Sequence, residues 1–173
     1  MEPRIEIVDG GAGWARAEAI DDVVYPPEIM KTVVWRDVAW SHADKRILVT
    51  HEGRDVCHVG LYFRAGRHDG REVSIGGIGG VMTIAEARKK GCASLAMHHA
   101  AGMLVARNCD FGLLFCEPHN FAFYERLGWV KFEGEVVCEQ NGETAPFAIM
   151  RALVLPLRLA PRAGLIDLRG LPW

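Results

Sequence analysis

The segment VMTIAEARKKGCAS, Val81 to Ser94, joins the end of an apolar strand-like run to the start of a helical one. Upstream, Val73 to Thr83 (VSIGGIGGVMT) combines β-branched residues with glycines, as a close-packed strand does. Downstream, Lys89 to Arg107 spaces Cys92, Leu95, Ala96, His99, Met103 and Ala106 three and four apart, which predicts one apolar helix face with His99 packed on it. Between the two stand Arg88, Lys89, Lys90 and Gly91. The first amides of a helix lack internal partners and sit at the positive end of its dipole, so a helix start attracts anions. Three cations add charge there, and Gly91 and Ala93 leave room for phosphate oxygens to approach the backbone. The pattern reads as a phosphate-binding loop. Taken without its neighbours, it also fits a solvated basic helix start.

Outward from this segment the chain mixes strands and helices. Arg4 to Asp9 reads as a strand, Trp14 to Val24 and Glu28 to Trp40 as helices, and Arg46 to Thr50 and Val56 to Arg64 as strands around a turn at Glu52–Asp55. After the long helix, Phe111 to Cys116 suits a buried strand, and Phe121 to Leu127 a short helix closed by Gly128. Val130 to Cys138 and Pro146 to Leu155 follow as a hairpin around Asn141-Gly142. The expected fold is α/β (α+β): a mixed, mostly antiparallel sheet of six to seven strands with about four helices. One domain covers residues 1–173, with 156–173 as a tail.

Composition narrows the function. The 173 residues are 50% hydrophobic and 24% charged, and a chain of this size buries roughly 70% of its unfolded surface without staples. A formal charge of −2, from 20 Lys+Arg against 22 Asp+Glu, argues against a nucleic-acid partner. No run approaches the ~18 apolar residues of a membrane span, and MEPRIEIVDG does not resemble a secretory signal. Five cysteines form no CxxC and no zinc-like spacing, so free thiols, no metal and a cytoplasmic location are expected.

Two motifs carry a family resemblance. Arg88-Lys-Lys-Gly91-Cys-Ala93 is similar to the [QR]-x-x-G-x-[GA] loop of the GCN5-related N-acetyltransferases, and Phe123 to Trp129 (FYERLGW) resembles that family's Y-x-x-x-G-[FW] segment. The resemblance implies an acetyl-CoA site. Arg88, Lys89, Lys90, Gly91, Cys92, Ala93 and Ser94 would hold the pyrophosphate. The fourth strand would splay from the fifth, leaving the backbone of Val81, Met82 and Thr83 to pair with pantetheine and Met82 N–H to polarise the thioester carbonyl. Tyr124 would be the general acid, since a phenol of pKa ~10 can protonate a thiolate of ~8.5. Many relatives carry a basic carboxylate on the glycine-rich strand, but Gly76 to Gly80 has none. Glu117, just past Phe111–Cys116, is the candidate base, with His119 nearby; both also fit caps of the next helix.

Within the family, the closest likeness is to the aminoglycoside 2'-N-acetyltransferases, which share a tail ending in tryptophan. It implies that Asp167 and the carboxylate of Trp173 reach the acceptor, with Gly79 beside them. Leu171 stands where that subgroup has an acid, which favours a less cationic aminosugar of the kasugamycin type, with antibiotic resistance as the role. Glu28, Trp35, Asp37 and Trp40 would form the opposite wall, through stacking and ammonium binding; each also reads as a core tryptophan or a solvated acid. The resemblance further implies a homodimer extended through Val130–Leu155. Other small-molecule or peptide amines are alternative acceptors, and an acyl-CoA sensor without turnover is the alternative class.

Overall fold

Two long strands, β3 (Arg54–His68) and β4 (Arg71–Thr83), form the hairpin on which the other elements are arranged. The computed structural model describes residues 2–173. Ahead of the hairpin come β1 (Arg4–Asp9), α1 (Trp14–Val24), α2 (Pro27–Met30) and β2 (Lys45–His51). After it come α3 (Cys92–Ala106), β5 (Phe111–Cys116), α4 (Phe121–Glu125), β6 (Val130–Lys131), β7 (Glu135–Gln140), β8 (Glu143–Pro146), β9 (Arg151–Pro156) and β10 (Leu165–Asp167). The ten strands make one open sheet. On one side of the hairpin β4 pairs in parallel with β5, and β9 and β6 follow antiparallel. On the other side β3 is shared: β2 and then β1 lie along its first half, and β10 pairs at Arg67–His68 and carries β7 and β8.

The mixed, mostly antiparallel sheet and the four helices agree with the expected fold, and β5 has its expected limits. Ten strands rather than six or seven arise because two expected strands each divide and the expected tail contributes β10. Val130–Cys138 breaks at Gly134, which lies hard against Gly164 O, so β6 stays on β9 while β7 leaves to join β10. Pro146–Leu155 divides into the end of β8 and β9. The expected hairpin around Asn141-Gly142 is therefore β7–β8. Glu28–Trp40 is not a helix beyond Met30: Thr32 turns both its amide and its hydroxyl onto Ile29 O, and the β-branched residues after it run on in turns. The long helix starts at Cys92 rather than Lys89, because Lys89 (φ 62°) and Gly91 (φ 82°) are left-handed. Its buried stripe is Cys92, Ala96, Met97, Ala100 and Leu104, which leaves His99 exposed. So apolar a helix gives little hint of which side turns inward.

Alternation along the central strands divides the interior in two. Ile78, Leu114, Leu153 and Leu155 pack with α3, whereas Ile75, Phe111, Leu113 and Val154 pack with the tail residues Ile166, Leu168 and Trp173. The tail is tied as well as packed. Arg64 Nη1 donates to Leu171 O at 2.8 Å, Arg64 Nη2 donates to Ser41 Oγ at 2.6 Å, and Trp173 Nε1 donates to Leu113 O at 3.0 Å. The Trp173 indole lies against Gly77, where a Cβ would come within 2.6 Å of three ring atoms. Gly77→Ala should therefore displace Trp173 and cost about 1–3 kcal/mol, the usual scale of overpacking. Urea unfolding followed by tryptophan fluorescence measures both effects, and an unchanged midpoint and spectrum would refute this packing.

Candidate active site

β4 and β5 pair only from Ile75–Phe111 to Ile78–Leu114, then part. On its other edge β4 keeps pairing with β3, but His58–Gly60 faces Gly79–Met82, so β4 carries one extra residue there. Gly80 supplies the left-handed step of that bulge, at φ +56°. Past Ile78 the β4 edge that faced β5 has no strand partner, which leaves main-chain donors and acceptors open to a ligand. A cavity of about 490 Å³ opens at this gap. Gly79, Val81, Met82, Tyr124, Glu117, Trp35, Trp40 and Trp173, eight of the residues expected at the site, line it. A Cβ on Gly79 would lie 2.9 Å from the Trp173 carbonyl carbon, so the tail does reach this point.

The basic turn stands at the other end of the bulge. Gly91 caps α3, and the first helical bond runs from Leu95 N to Gly91 O at 2.9 Å, so the amides of Cys92, Ala93 and Ser94 precede the hydrogen-bonded ladder. Lys89 and Lys90 are exposed, and Arg88 Nε folds back onto Thr83 O at 3.1 Å, joining this turn to the end of β4. The free β4 edge, the open helix start and the cations fit an extended ligand that pairs along a strand and ends in phosphates.

The remaining cavity wall is acidic and aromatic. Glu18, Asp21 and Asp22 of α1 face Glu117, and none of the four forms an ion pair among the described residues. Burial, then Asp22 and Glu18, hold the Asp21 carboxyl above its usual range. Rings run in sequence round the cavity: Tyr25 to Trp35 at 5.1 Å, Trp35 to Trp40 at 6.2 Å, Trp40 to Phe147 at 5.9 Å, Phe147 to Phe115 at 4.7 Å and Phe115 to Trp173 at 6.2 Å. Tyr62 stacks on Trp173 at 5.8 Å. Tyr124 is buried beside Cys116 and Tyr25, and burial chiefly raises its phenol, so it keeps its proton at neutral pH. The Cys116 thiol is pushed up to about 12 by burial and then Glu117, which leaves it un-ionised.

Four expected residues lie elsewhere. Glu28 is exposed and pairs with Lys31 at 3.2 Å; Asp37 is exposed and pairs with Arg36 at 3.3 Å, both displaced when the expected helix failed to continue. His119 points outward from the Pro118–Asn120 turn, and Asn120 reaches the cavity instead. Asp167 sits in β10, where its carboxylate accepts Arg169 N–H at 2.8 Å. Conversely, the α1 acids, Tyr25, Tyr62, Arg46 and His58 line the cavity without having been expected there. Glu18, Asp21 and Asp22 do carry a signal, since their spacing puts them on one helix face. His58 carries another, as an imidazole inside the apolar run VCHVGLYF.

A family model described as an acetyltransferase (GNAT) domain matches residues 19–132. No curated protein matches the chain. The structure is similar to that of the GNAT family N-acetyltransferase YhbS from Escherichia coli in complex with CoA, with a TM-score of 0.66 at 14% identity over 98% of this chain and 91% of that one. It is also similar to a GCN5-related N-acetyltransferase from Kribbella flavida (TM-score 0.55, 17% identity, 75% of this chain). A probable N-acyltransferase from Enterococcus faecalis gives a TM-score of 0.59 at 17% identity over 75% of this chain. The chain spans about a third of the length of the last two, 33% and 32%.

Burial chiefly lowers the His58 imidazole from 6.5 to about 4. Between those values the unfolded chain binds a proton that the folded chain refuses, so stability falls as pH drops from 6.5 towards 4. Unfolding in urea at pH 7 and pH 5 should differ by about 2 kcal/mol from this group, and the difference should shrink by that amount in His58→Asn. An identical pH dependence in the variant would show that His58 does not titrate as its burial requires.

Proposed function

The chain belongs to the GNAT acetyltransferase family, and from that premise we propose that it acetylates a primary amine of an aminosugar. Membership makes it an acetyl-CoA-dependent acyltransferase. The observation that carries the acceptor reading is the cavity itself, in which one wall is the open β4 edge and the other is unpaired carboxylates set among aromatic rings. Carboxylates receive ammonium groups, and flat rings pack against the C–H faces of sugars. No helix of the described residues is long and apolar enough to cross a membrane. Five free, buried cysteines support our placing the protein in the cytoplasm, and the open edge of β8 is where a second copy could extend the sheet.

Acetyl-CoA, when bound, supplies an activated acetyl thioester. The residues that would hold it are Val81 and Thr83 through their main chain, and Arg88 to Ser94 at the phosphates. Met82, expected to donate to the acyl oxygen, faces His58 in the register that puts Ile84 N–H on Val56 O, so its N–H is turned to β3 and Val81 N–H is our candidate instead. Glu117, half-buried on the lip past β5 and free of ion pairs, is our candidate to take a proton from the acceptor ammonium. Tyr124, protonated at neutral pH and lining the same cavity, is our candidate to return a proton to the departing sulfur. Asp21, Glu18 and Asp22 would hold further ammonium or hydroxyl groups, and Trp35, Trp40 and Trp173 would pack against the sugar rings. Acetylating an ammonium that an antibiotic uses to bind its target removes its charge, which gives the resistance role we assign.

Mass spectrometry of acetyl-CoA incubations with a panel of aminosugar antibiotics, kasugamycin included, tests this reading. One acetyl group should be gained, and Tyr124→Phe should slow the gain about 100-fold while acetyl-CoA affinity stays within about twofold. Asp21→Asn should raise KM for the aminosugar about tenfold with little change in kcat, the scale of one charge-assisted hydrogen bond. No gain across the panel, with acetyl-CoA binding intact, would overturn the aminosugar. Full activity in Tyr124→Phe would remove the phenol from the mechanism.

A further inference from the structure

His58 and Arg46, both buried in the cavity wall, have no part in the roles above. His58 Nδ1 lies 2.7 Å from Gly80 O, and Arg46 Nη1 lies 3.0 Å from His58 Nε2. Arg46 Nε in turn donates to Gly10 O at 2.7 Å, and its guanidinium sits 5.0 Å from the centre of the Trp14 ring. A continuous line of polar contacts thus runs from the loop after β1, through β2 and β3, to the bulge of β4. Its direction is determined. A guanidinium can only donate, so Nε2 accepts, and the single proton of the neutral ring is on Nδ1, donated to Gly80 O.

Gly80 and Val81 together face the single residue Val59 and neither has a register partner on β3, so the ladder does not fix the peptide between them. That peptide is one rigid trans plane, in which Gly80 C=O and Val81 N–H point in opposite directions. Holding the carbonyl towards His58 aims the Val81 N–H away from β3. Gly80 is left-handed and unhindered by a side chain, and without such a hold its peptide plane could turn over.

We propose that His58, oriented by Arg46, is a positioning residue for acyl transfer: it holds the Gly80 carbonyl and thereby directs the bulge amides, Val81 first, at the acyl group. The proposal rests on the reading that the acyl group sits at this bulge. The depressed pKa of His58 agrees with it, because a protonated ring could not accept from Arg46.

Two conservative variants separate the two ends of the ring. His58→Asn keeps an amide donor near the place of Nδ1 and loses the Arg46 contact, whereas His58→Gln keeps a group near the place of Nε2 and loses the donor to Gly80. Two measurements apply: kcat and KM for acetyl-CoA, and amide hydrogen exchange of residues 78–84 in the ligand-free protein. His58→Gln should lower kcat about 30- to 100-fold with KM for acetyl-CoA within about threefold, and exchange at Met82, whose N–H faces β3 beside the bulge, should accelerate. His58→Asn should stay within about fivefold of the native kcat with near-native exchange. Native kcat in His58→Gln, or equal losses in the two variants with unchanged exchange, would overturn the proposal. If the native protein transfers no acetyl group, the premise about the bulge fails instead, and the exchange measurement still decides whether His58 orders Gly80–Met82.

Discussion

A strand that loses its neighbour part-way along must find other partners for its backbone. β4 meets this constraint at Ile78, where β5 turns away. Before that point β4 is bonded on both edges; after it, one edge is bare and the other is bent by an extra residue at Gly80. The cavity, its lining and the helix start all depend on that departure. Tyr124 and Glu117 border the gap because β5 diverges, and α3 begins beside it because the chain leaves β4 through the short turn Ala85–Ala87 and the left-handed Lys89 and Gly91. A sheet bonded along the full length of β4 would have no such opening.

Charge is then distributed unevenly round the gap. Exposed Lys89 and Lys90 stand on the side where α3 begins, while four unpaired carboxylates face the cavity. Each half suits a ligand of opposite sign, and the formal charge of −2 conceals both. Arg46 is a cation in the acidic half, but it is engaged by Gly10, His58 and the Trp14 face. Tyr124 lines the same cavity, and it stays un-ionised because it is buried among apolar and thiol groups.

What could be read from the sequence follows the range of the forces involved. β5 and α1 have their expected limits because short-range patterning defines them. The hairpin turns Glu52-Gly53 and Asn141-Gly142 need positive φ at both positions, a local requirement that sequence expresses directly. The basic loop was equally legible, since strand, loop and helix follow one another. The errors arise where distant groups decide. Gly134 breaks a strand because of Gly164, and Lys31 to Asp44 lies as turns against rings and carbonyls from elsewhere, with Ala39 held by Gln140 and Ser41 by Pro172. The α1 acids belong to the site only because the helix packs against β3 and β4, which no local pattern states.

The arrangement of β10 makes it the last link of the sheet. β7 and β8 form a local hairpin, but they reach the main sheet only through β10, which bonds to β3 on one side and to β7 on the other. Until β10 docks during folding, the hairpin carries an unmatched strand edge beside an unfinished one on β3. The charged and polar side chains of Glu135, Glu139, Gln140 and Glu143 flank that hairpin and discourage it from pairing with another folding chain.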